Sequence, residues 1–210
     1  MIRVLIADDH ALIRVGMQQI VKEQAPFMEV AEAANGQEVL DMINAGPWDC
    51  LVLDISMPGR SGLDILNEVH HLRPHLPVLI LSMHPEDQYA IRVLKAGAAG
   101  YLSKESALEE LVGAIQRVVG GGKYVSATLA EKLAMGLSGD LGTLPHEALS
   151  DREFTVLLMI GGGKSVSEIG DDLGLSVKTI STYRSRILEK MNLKTNADLI
   201  RYVIDHELAV

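Results

Sequence analysis

The sequence predicts an α/β fold, a flavodoxin-like five-stranded parallel (βα)5 unit, followed by a C-terminal four-helix all-α unit. Three observations carry this. Five short apolar runs alternate with stretches of helical period over the first ~120 residues. Runs as apolar as VLILS must be covered on both faces, as strands of a parallel sheet are. Beyond a stretch rich in Gly, Ser and Thr, no strand pattern recurs.

The elements follow in order. The apolar runs are IRVLIAD (2–8), MEVAEAA (28–34), CLVLD (50–54), PVLILS (77–82) and AAGYLS (98–103). Between them, ALIRVGMQQIVKEQ, GQEVLDMINAG, GLDILNEVHHL and DQYAIRVLKAG space their apolar residues at helical intervals, and ESALEELVGAIQRVV closes the series. The glycines at 120–122 stop that helix. A further helix is expected from Ser126 to Gly136, and GLSGDLGTLPHEA reads as a linker. DREFTVLLMI, SVSEIGDDL, VKTISTYRSRILEKM and NADLIRYVIDHE then form four helices, with Gly174, Leu175 and Ser176 as the turn between the second and third. The expected units are 1–122, a helix and linker over 123–147, and 148–210.

Composition narrows the function. Hydrophobic residues at 48% and charged residues at 22% fit a globular soluble protein. No apolar run reaches the ~20 residues of a membrane span, and the carboxylates of MIRVLIADDH do not suit a signal peptide. A single cysteine, Cys50, allows no intramolecular disulfide; it reads as a small buried apolar residue, and a cytoplasmic location is expected. A net charge of −9 argues against nucleic acid for the chain as a whole. Between Ser176 and Lys194, however, Lys178, Arg184, Arg186, Lys190 and Lys194 face Glu189 alone, so two units with two tasks are expected.

In an open parallel sheet, functional groups gather at the carboxyl ends of the strands. The first run delivers Asp8 and Asp9 there, the third Asp54, the fourth Ser82, and the fifth leads into Lys104. With strand order 2-1-3-4-5 the three aspartates share one pocket. Their mutual repulsion calls for a proton or a cation, and Mg²⁺ is the usual hard, oxygen-seeking choice. The set then suits phosphoryl transfer. Asp54 is the nucleophile, Asp9 and Asp54 hold Mg²⁺ with Asp8 nearby, and Lys104 and the Ser82 hydroxyl meet the remaining phosphoryl oxygens. Pro58 and Gly59 turn the chain away after Asp54 and keep the pocket open.

These residues resemble the receiver domain of bacterial two-component response regulators. The matching motifs are ADDH (7–10), D-x-x-M-P-G-x-x-G from Asp54 to Gly62, Leu81-Ser82, and GYLSK from Gly100 to Lys104. The resemblance implies that Asp54 is the phosphoacceptor for a sensor histidine kinase. It also implies that Ser82 and Tyr101 form a switch pair, and that the Ser56 carbonyl completes the metal shell. Two residues depart from the common pattern. Met83 follows the switch hydroxyl where a small residue is frequent, which narrows access to the pocket. Glu105 follows the lysine where proline is frequent.

Two other patterns fall away and a third is disfavoured. GGGKS (161–165) lacks the first glycine of a P-loop, since Leu158 stands there, and no strand precedes it. Of His70, His71 and His75, only the last two share helical spacing, and Pro74 interrupts them, so surface histidines are expected. Aspartate-nucleophile phosphatases carry a second carboxylate two residues after the nucleophile. Here it is Ser56, so the chain is not expected to be an enzyme beyond slow self-dephosphorylation.

In the C-terminal unit, Ser165 and Ser176 are N-cap residues, with Glu168 at capping-box spacing. Ile169, Leu173, Ile180, Ile187, Leu188 and Met191 form a packing face. Lys178, Thr179, Ser181, Thr182, Ser185 and Arg186 lie on the opposite one, and short polar and basic side chains there suit a DNA major groove. The motifs LSDRE (149–153), GKSVSEI (163–169) and LGLSVKTISTYRSRILEKMNL (173–193) resemble the LuxR-type helix-turn-helix, and both halves together resemble the NarL/FixJ subfamily of response regulators. By that resemblance Lys178, Thr179 and Tyr183 touch phosphates, while Ser181, Thr182, Ser185 and Arg186 approach base edges of double-stranded DNA. Gly161, Gly162 and Gly170 are unusual where they stand and are expected to loosen the first helices of the unit; Thr155 replaces a frequent glutamate. A homodimer formed on phosphorylation is expected, by way of the first and last helices of the receiver or its fourth helix and fifth strand. Between DNA-bound modules, the contact is expected from the helix Asn196 to His206, through Leu199, Val203 and Ile204. Two alternatives remain at this point: a phosphorelay protein whose helical module binds protein, and a phosphatase. A salt-dependent gel shift separates the first, and steady-state phosphoester turnover the second.

Overall fold

Five strands and five helices alternate along the N-terminal half of the chain. The computed structural model describes residues 1–57, 62–83, 86–127, 129–131, 144–206 and 208, apart from the side chains of 87, 88, 147 and 151. The expected turn residues Pro58 and Gly59 and most of the expected helix to Gly136 lie outside the described residues. Residues 1–134 and 135–210 form two separate units.

In the first unit the order is β1 (Ile2–Ala7), α1 (Ala11–Gln24), β2 (Met28–Ala33), α2 (Gly36–Ala45), β3 (Cys50–Asp54), α3 (Gly62–Leu72), β4 (Val78–Ser82), α4 (Glu86–Lys95), β5 (Gly100–Ser103) and α5 (Ala107–Val119). All pairings are parallel and the strands lie in the order β2-β1-β3-β4-β5. The flavodoxin-like topology is therefore the one the sequence predicts.

Alternation along the strands sends side chains to two faces. Val4, Ile6, Val52, Leu79 and Leu81 form one core with Met17 and Val21 of α1 and Leu111, Ala114, Ile115 and Val118 of α5. Leu5, Leu51, Leu53 and Ile80 alternate with these and are equally buried. Right-handed crossovers place α2, α3 and α4 on that second face, with Val39, Leu40, Ile43, Leu66, Val69 and Val93 buried. Cys50 is buried in the first core, and burial pushes its thiol up to about 12, with the Asp49 charge adding to the shift.

After α5 the chain returns to the sheet. Tyr124 forms a parallel bridge with Gly100 at the outer edge of β5. A helical backbone resumes at residue 127 and over 129–131.

In the second unit a short 3-10 turn (Pro145–Ala148) precedes α6 (Asp151–Gly161), α7 (Val166–Leu173), α8 (Val177–Lys190) and α9 (Asn196–Asp205). Side chains fix the helix starts. Ser150 with Glu153, Ser165 with Glu168 and Thr195 with Asp198 make full capping boxes, and Ser176 caps α8 by accepting from Thr179 N. Phe154, Val156, Leu157, Ile169, Ile180, Ile187, Leu199 and Val203 are all fully buried between the four helices.

Candidate functional site

The acidic pocket is built by the register of three strands. β1 ends at Ala7, opposite Leu53 of β3, so Asp8 follows directly beside Asp54. Asp54 pairs with Leu81 of β4, one residue before Ser82, and Ser82 pairs with Ser103 of β5. The Lys104 amide then bonds to the Ser82 carbonyl at 2.8 Å, which aims the lysine across the strand ends. Asp8, Asp9, Asp54, Ser82 and Lys104 thus meet at one edge. The first residue of α3 lies very close to the end of β3. A Cβ on Gly62 would lie 2.5 Å from Ile55 Cα and 2.8 Å from the Asp54 carbonyl oxygen, so only glycine fits there.

Asp54 is fully buried and both its oxygens are engaged. Oδ1 accepts from Ser56 N at 2.9 Å, and Oδ2 accepts from Lys104 Nζ at 2.8 Å. Burial pushes the Asp54 carboxyl up. Lys104 and Ser56 N offset that only in part, and the Asp8 charge adds to it. Burial alone would lower Lys104, but the Asp54 and Asp8 carboxylates beside it outweigh that and hold the ammonium above its ordinary value. Lys104 Nζ also stands 2.7 Å from Asp8 Oδ2, an ion pair without hydrogen-bond geometry.

Asp8 Oδ2 and Asp9 Oδ1 are buried and lack a hydrogen bond of good geometry, their polar neighbours being the Lys104 ammonium and the His10 ring. Buried carboxylate oxygens left in that state are suited to a further cation. Ligand atoms of Asp8, Asp9, His10 and Asp54 all lie within 4.8 Å of one another. The pocket is therefore compatible with a divalent metal ion.

Ser82 and Tyr101 are buried, at 0% and 1% exposure, on adjacent strands. Ser56 sits two residues beyond the acceptor with its amide already bound to Asp54. Met83, expected to narrow the entrance, is 66% exposed.

Two neighbours were not singled out from the sequence. The His10 ring lies 2.9 Å from Asp9 Oδ1 and 3.2 Å from Asp8 Oδ1. Arg14 bonds the Asp8 carbonyl through Nη1 at 2.7 Å and Glu32 through Nε at 3.1 Å, which fixes the end of β1. His10 stood in the quoted ADDH, and Arg14 lies one helical turn beyond it, so helical spacing alone contained the signal.

In the second unit α8 is the exposed helix. Lys178, Ser181, Thr182, Ser185 and Arg186 face solvent, while Thr179 and Tyr183 are half-buried. Thr179 belongs partly to the cap, its hydroxyl 2.8 Å from Ser176 Oγ. Thr182 and Ser185 donate back to the carbonyls of Lys178 and Ser181, both at 3.0 Å, and so present their oxygens outward as acceptors. Of the local cations, Lys190 is held by Glu153 at 2.7 Å and Arg184 bonds Asn196. Lys178 and Arg186 make no ion pair among the described residues. Val177, at the first turn of α8, is 52% exposed, an apolar residue that the charge pattern did not bring out.

Two expectations need correction. Leu199 and Val203 of α9 do not form an outer surface: both are at 0% exposure, packed in the unit's core, and only Ile204 is exposed. An apolar stripe on a helix must first close its own unit, and α9 uses it against α6. Gly161 and Gly170 are likewise not explained by helix propensity alone. A Cβ on Gly161 would lie 2.4 Å from Val203 Cγ1, and one on Gly170 would lie 2.8 Å from the Leu175 carbonyl oxygen. Both glycines mark close approaches rather than weak spots.

The family follows from comparison with known proteins. A model of the response regulator receiver domain matches residues 4–116, and a model of the luxR family of bacterial regulatory proteins matches residues 147–203. The chain belongs to the response regulators. It is 35% identical over 209 residues to the response regulator UvrY of Escherichia coli O157:H7, covering 99% of this chain and 96% of that one. It is 36% identical over 207 residues to the response regulator GacA of Pseudomonas viridiflava, covering 98% and 97%. These relatives place it in the NarL/FixJ subfamily. Among solved structures, the RcsB response regulator of Salmonella typhimurium aligns with a TM-score of 0.69 at 26% identity, covering 97% of each chain. An RcsB–DNA complex aligns with a TM-score of 0.59 at 25% identity, covering 96% and 97%. As a response regulator of this class, the chain joins a receiver to a LuxR-type helix-turn-helix. No described helix is long and apolar enough to cross a membrane.

Proposed function

We propose that this response regulator takes a phosphoryl group on Asp54 from a sensor histidine kinase and, so modified, binds double-stranded DNA as a homodimer to control transcription. The observation that carries the reading is the buried Asp54 carboxylate, held by Lys104 at 2.8 Å, with ligand atoms of Asp8 and Asp9 within 4.8 Å of its own.

The chemistry is a single displacement. A carboxylate oxygen of Asp54 attacks the phosphorus of a phosphohistidine, the P–O bond forms as the P–N bond breaks, and the imidazole leaves with a proton. Asp8, Asp9 and Asp54, with the Ser56 carbonyl, would hold Mg²⁺, which supplies charge neutralisation for the phosphoryl oxygens when bound. Lys104, released from Asp54 Oδ2, turns to a phosphoryl oxygen. The Ser82 hydroxyl meets another, and the Tyr101 ring fills the space behind it. With Ser56 in place of a second carboxylate, the residue two beyond Asp54 offers no base to activate water, so the phosphoryl group is lost slowly and the protein acts as an acceptor rather than a turnover enzyme.

In this reading Lys178, Thr179 and Tyr183 would meet phosphates, Ser181, Thr182, Ser185 and Arg186 would meet base edges, and Val177 has the chemistry for a thymine methyl group. With two cations of α8 already engaged by protein, one module neutralises few phosphates and binds weakly. Two modules on adjacent half-sites gain an effectively intramolecular second contact. Of the two receiver surfaces considered, the first and last helices are better suited to pairing. Leu12, Val15 and Leu108 are 83%, 56% and 65% exposed there, and Gly16 and Gly113 leave open space for close approach. A solved RcsB assembly holds two dimers on two parallel DNAs. A DNA-binding task supports a cytoplasmic location.

The test is labelling with acetyl phosphate and Mg²⁺. One base-labile phosphoryl group per chain is expected, absent in Asp54→Asn; equal labelling of that variant would refute the assignment.

A further inference from the structure

We infer that the segment Lys123–Ser126 is a latch through which the receiver's switch controls the start of the linker, with Tyr124 and Glu86 as its positioning residues. The inference rests on Asp54 being the phosphoacceptor.

The segment is bound to β5, which carries Tyr101, and to the start of α4, which follows Ser82 in the chain. Tyr124 N donates to the Ala99 carbonyl at 3.0 Å, and the amide of Tyr101 itself donates to the Tyr124 carbonyl at 3.0 Å. Lys123 Nζ reaches the Ala98 carbonyl at 2.6 Å, and Arg117 Nε reaches the Lys123 carbonyl at 2.7 Å. The Tyr124 hydroxyl donates to Glu110 of α5 at 2.5 Å. The fit to β5 is tight: a Cβ on Gly100 would lie 2.5 Å from the Tyr124 carbonyl oxygen. Further along, Ser126 N donates to Glu86 Oε1 at 3.0 Å. Glu86 is the first residue of α4, four positions after Ser82.

Ser126 is also a helix cap. Its Oγ accepts from Leu129 N at 3.1 Å, and its carbonyl accepts from Ala130 N at 3.0 Å. The helical turn described at residues 127 and 129–131 therefore starts at a residue whose own amide is held by α4. When the Ser82 hydroxyl turns to the phosphoryl group, the start of α4 is drawn toward Asp54 and the Glu86 carboxylate leaves Ser126 N. The cap loses one of its ties, and the first turn beyond it loosens. The signal leaves the receiver through this segment, by a hydrogen bond broken rather than a surface exposed.

Hydrogen exchange on the full-length chain tests this, with and without Mg²⁺ and beryllofluoride. On adding beryllofluoride, amides of residues 126–131 should exchange roughly five- to tenfold faster, the equivalent of about one net hydrogen bond. Glu86→Ala should show the faster exchange from the outset with no further gain, whereas Glu86→Gln, which keeps an acceptor oxygen, should respond as the parent does. Changed exchange over 82–105 with none over 124–131, or a Glu86→Ala variant that behaves as the parent, overturns the latch. No change in either segment overturns the Asp54 reading, and the latch with it.

Discussion

Lys104 Nζ stands between two carboxylates, 2.8 Å from Asp54 Oδ2 and 2.7 Å from Asp8 Oδ2, at the ends of three strands. One cation thus balances two buried anions, and removing it leaves both uncompensated. Lys104→Ala should therefore bind Mg²⁺ as well as the parent or more tightly, since its competitor is gone, while phosphorylation no longer promotes dimers. Isothermal titration with Mg²⁺ and sedimentation with beryllofluoride check the two halves; much weaker Mg²⁺ binding would contradict the first.

Asp54 carries a carboxyl that burial holds above its ordinary value. A raised folded-state pKa means that protonation favours the native state. The stability is present below the unfolded pKa and is lost as pH rises through the folded one. Asp54→Asn removes that loss. At pH 7 the variant should melt at a higher temperature than the parent, and the gap should close as pH falls through the carboxylate range. Mg²⁺ should stabilise the parent more than the variant.

Glu153 behaves in the opposite sense. Burial raises its carboxyl, but the Lys190 ammonium and the Ser150 amide and hydroxyl outweigh that and hold it below the usual range. Its stabilising contribution is complete above the unfolded value of about 4.5 and fades as pH falls through the lower folded value. Glu153→Gln should lower the stability of the C-terminal unit at neutral pH, and the difference from the parent should vanish in acid. Thermal unfolding of the two proteins from pH 7 to pH 3 measures it.

Gly161→Ala places a methyl group against Val203, with a Cβ 2.4 Å from Cγ1. Overpacking of this kind costs roughly 1–3 kcal/mol. Denaturant unfolding of the second unit should show that loss, and a compensating Val203→Ala should recover part of it. A neutral Gly161→Ala would mean that α6 and α9 yield more easily than their packing indicates.

On DNA, Lys178→Ala should weaken binding to all sequences alike and lower the slope of log affinity against log salt by about 1. Arg186→Ala should cost roughly 1–3 kcal/mol on the preferred site and little on random DNA. Gel shifts at several salt concentrations distinguish the two.

Much of the fold was legible because its signals are periodic. The pattern in CLVLD and the helical spacing in ALIRVGMQQIVKEQ located β3 and α1 to the residue. The start of α5 was placed at Glu105 and falls at Ala107, because Ser103 Oγ binds Ser106 N and Ser106 Oγ, both at 3.0 Å, and holds a turn there. The pocket was legible through the strand ends, where position along the chain implies position in space. Tyr124 was not: a single bridging residue has no period. Leu199 and Val203 were misread because an amphipathic stripe tells that a face is covered but not by what. The glycines at 161 and 170 were read as propensity, whereas contact decides them.

The bridge from Tyr124 to Gly100 also bears on solubility. An open strand edge offers unpaired amides and carbonyls to any other chain, and crowded solutions turn such edges into aggregates. Here the β5 edge is met by the protein's own chain at Ala99 and Tyr101, and the opposite edge, β2, carries Glu29 and Glu32. Neither margin invites a foreign strand. Pairing of the receiver, as proposed above, would then fall to its helical surfaces rather than to its strand edges.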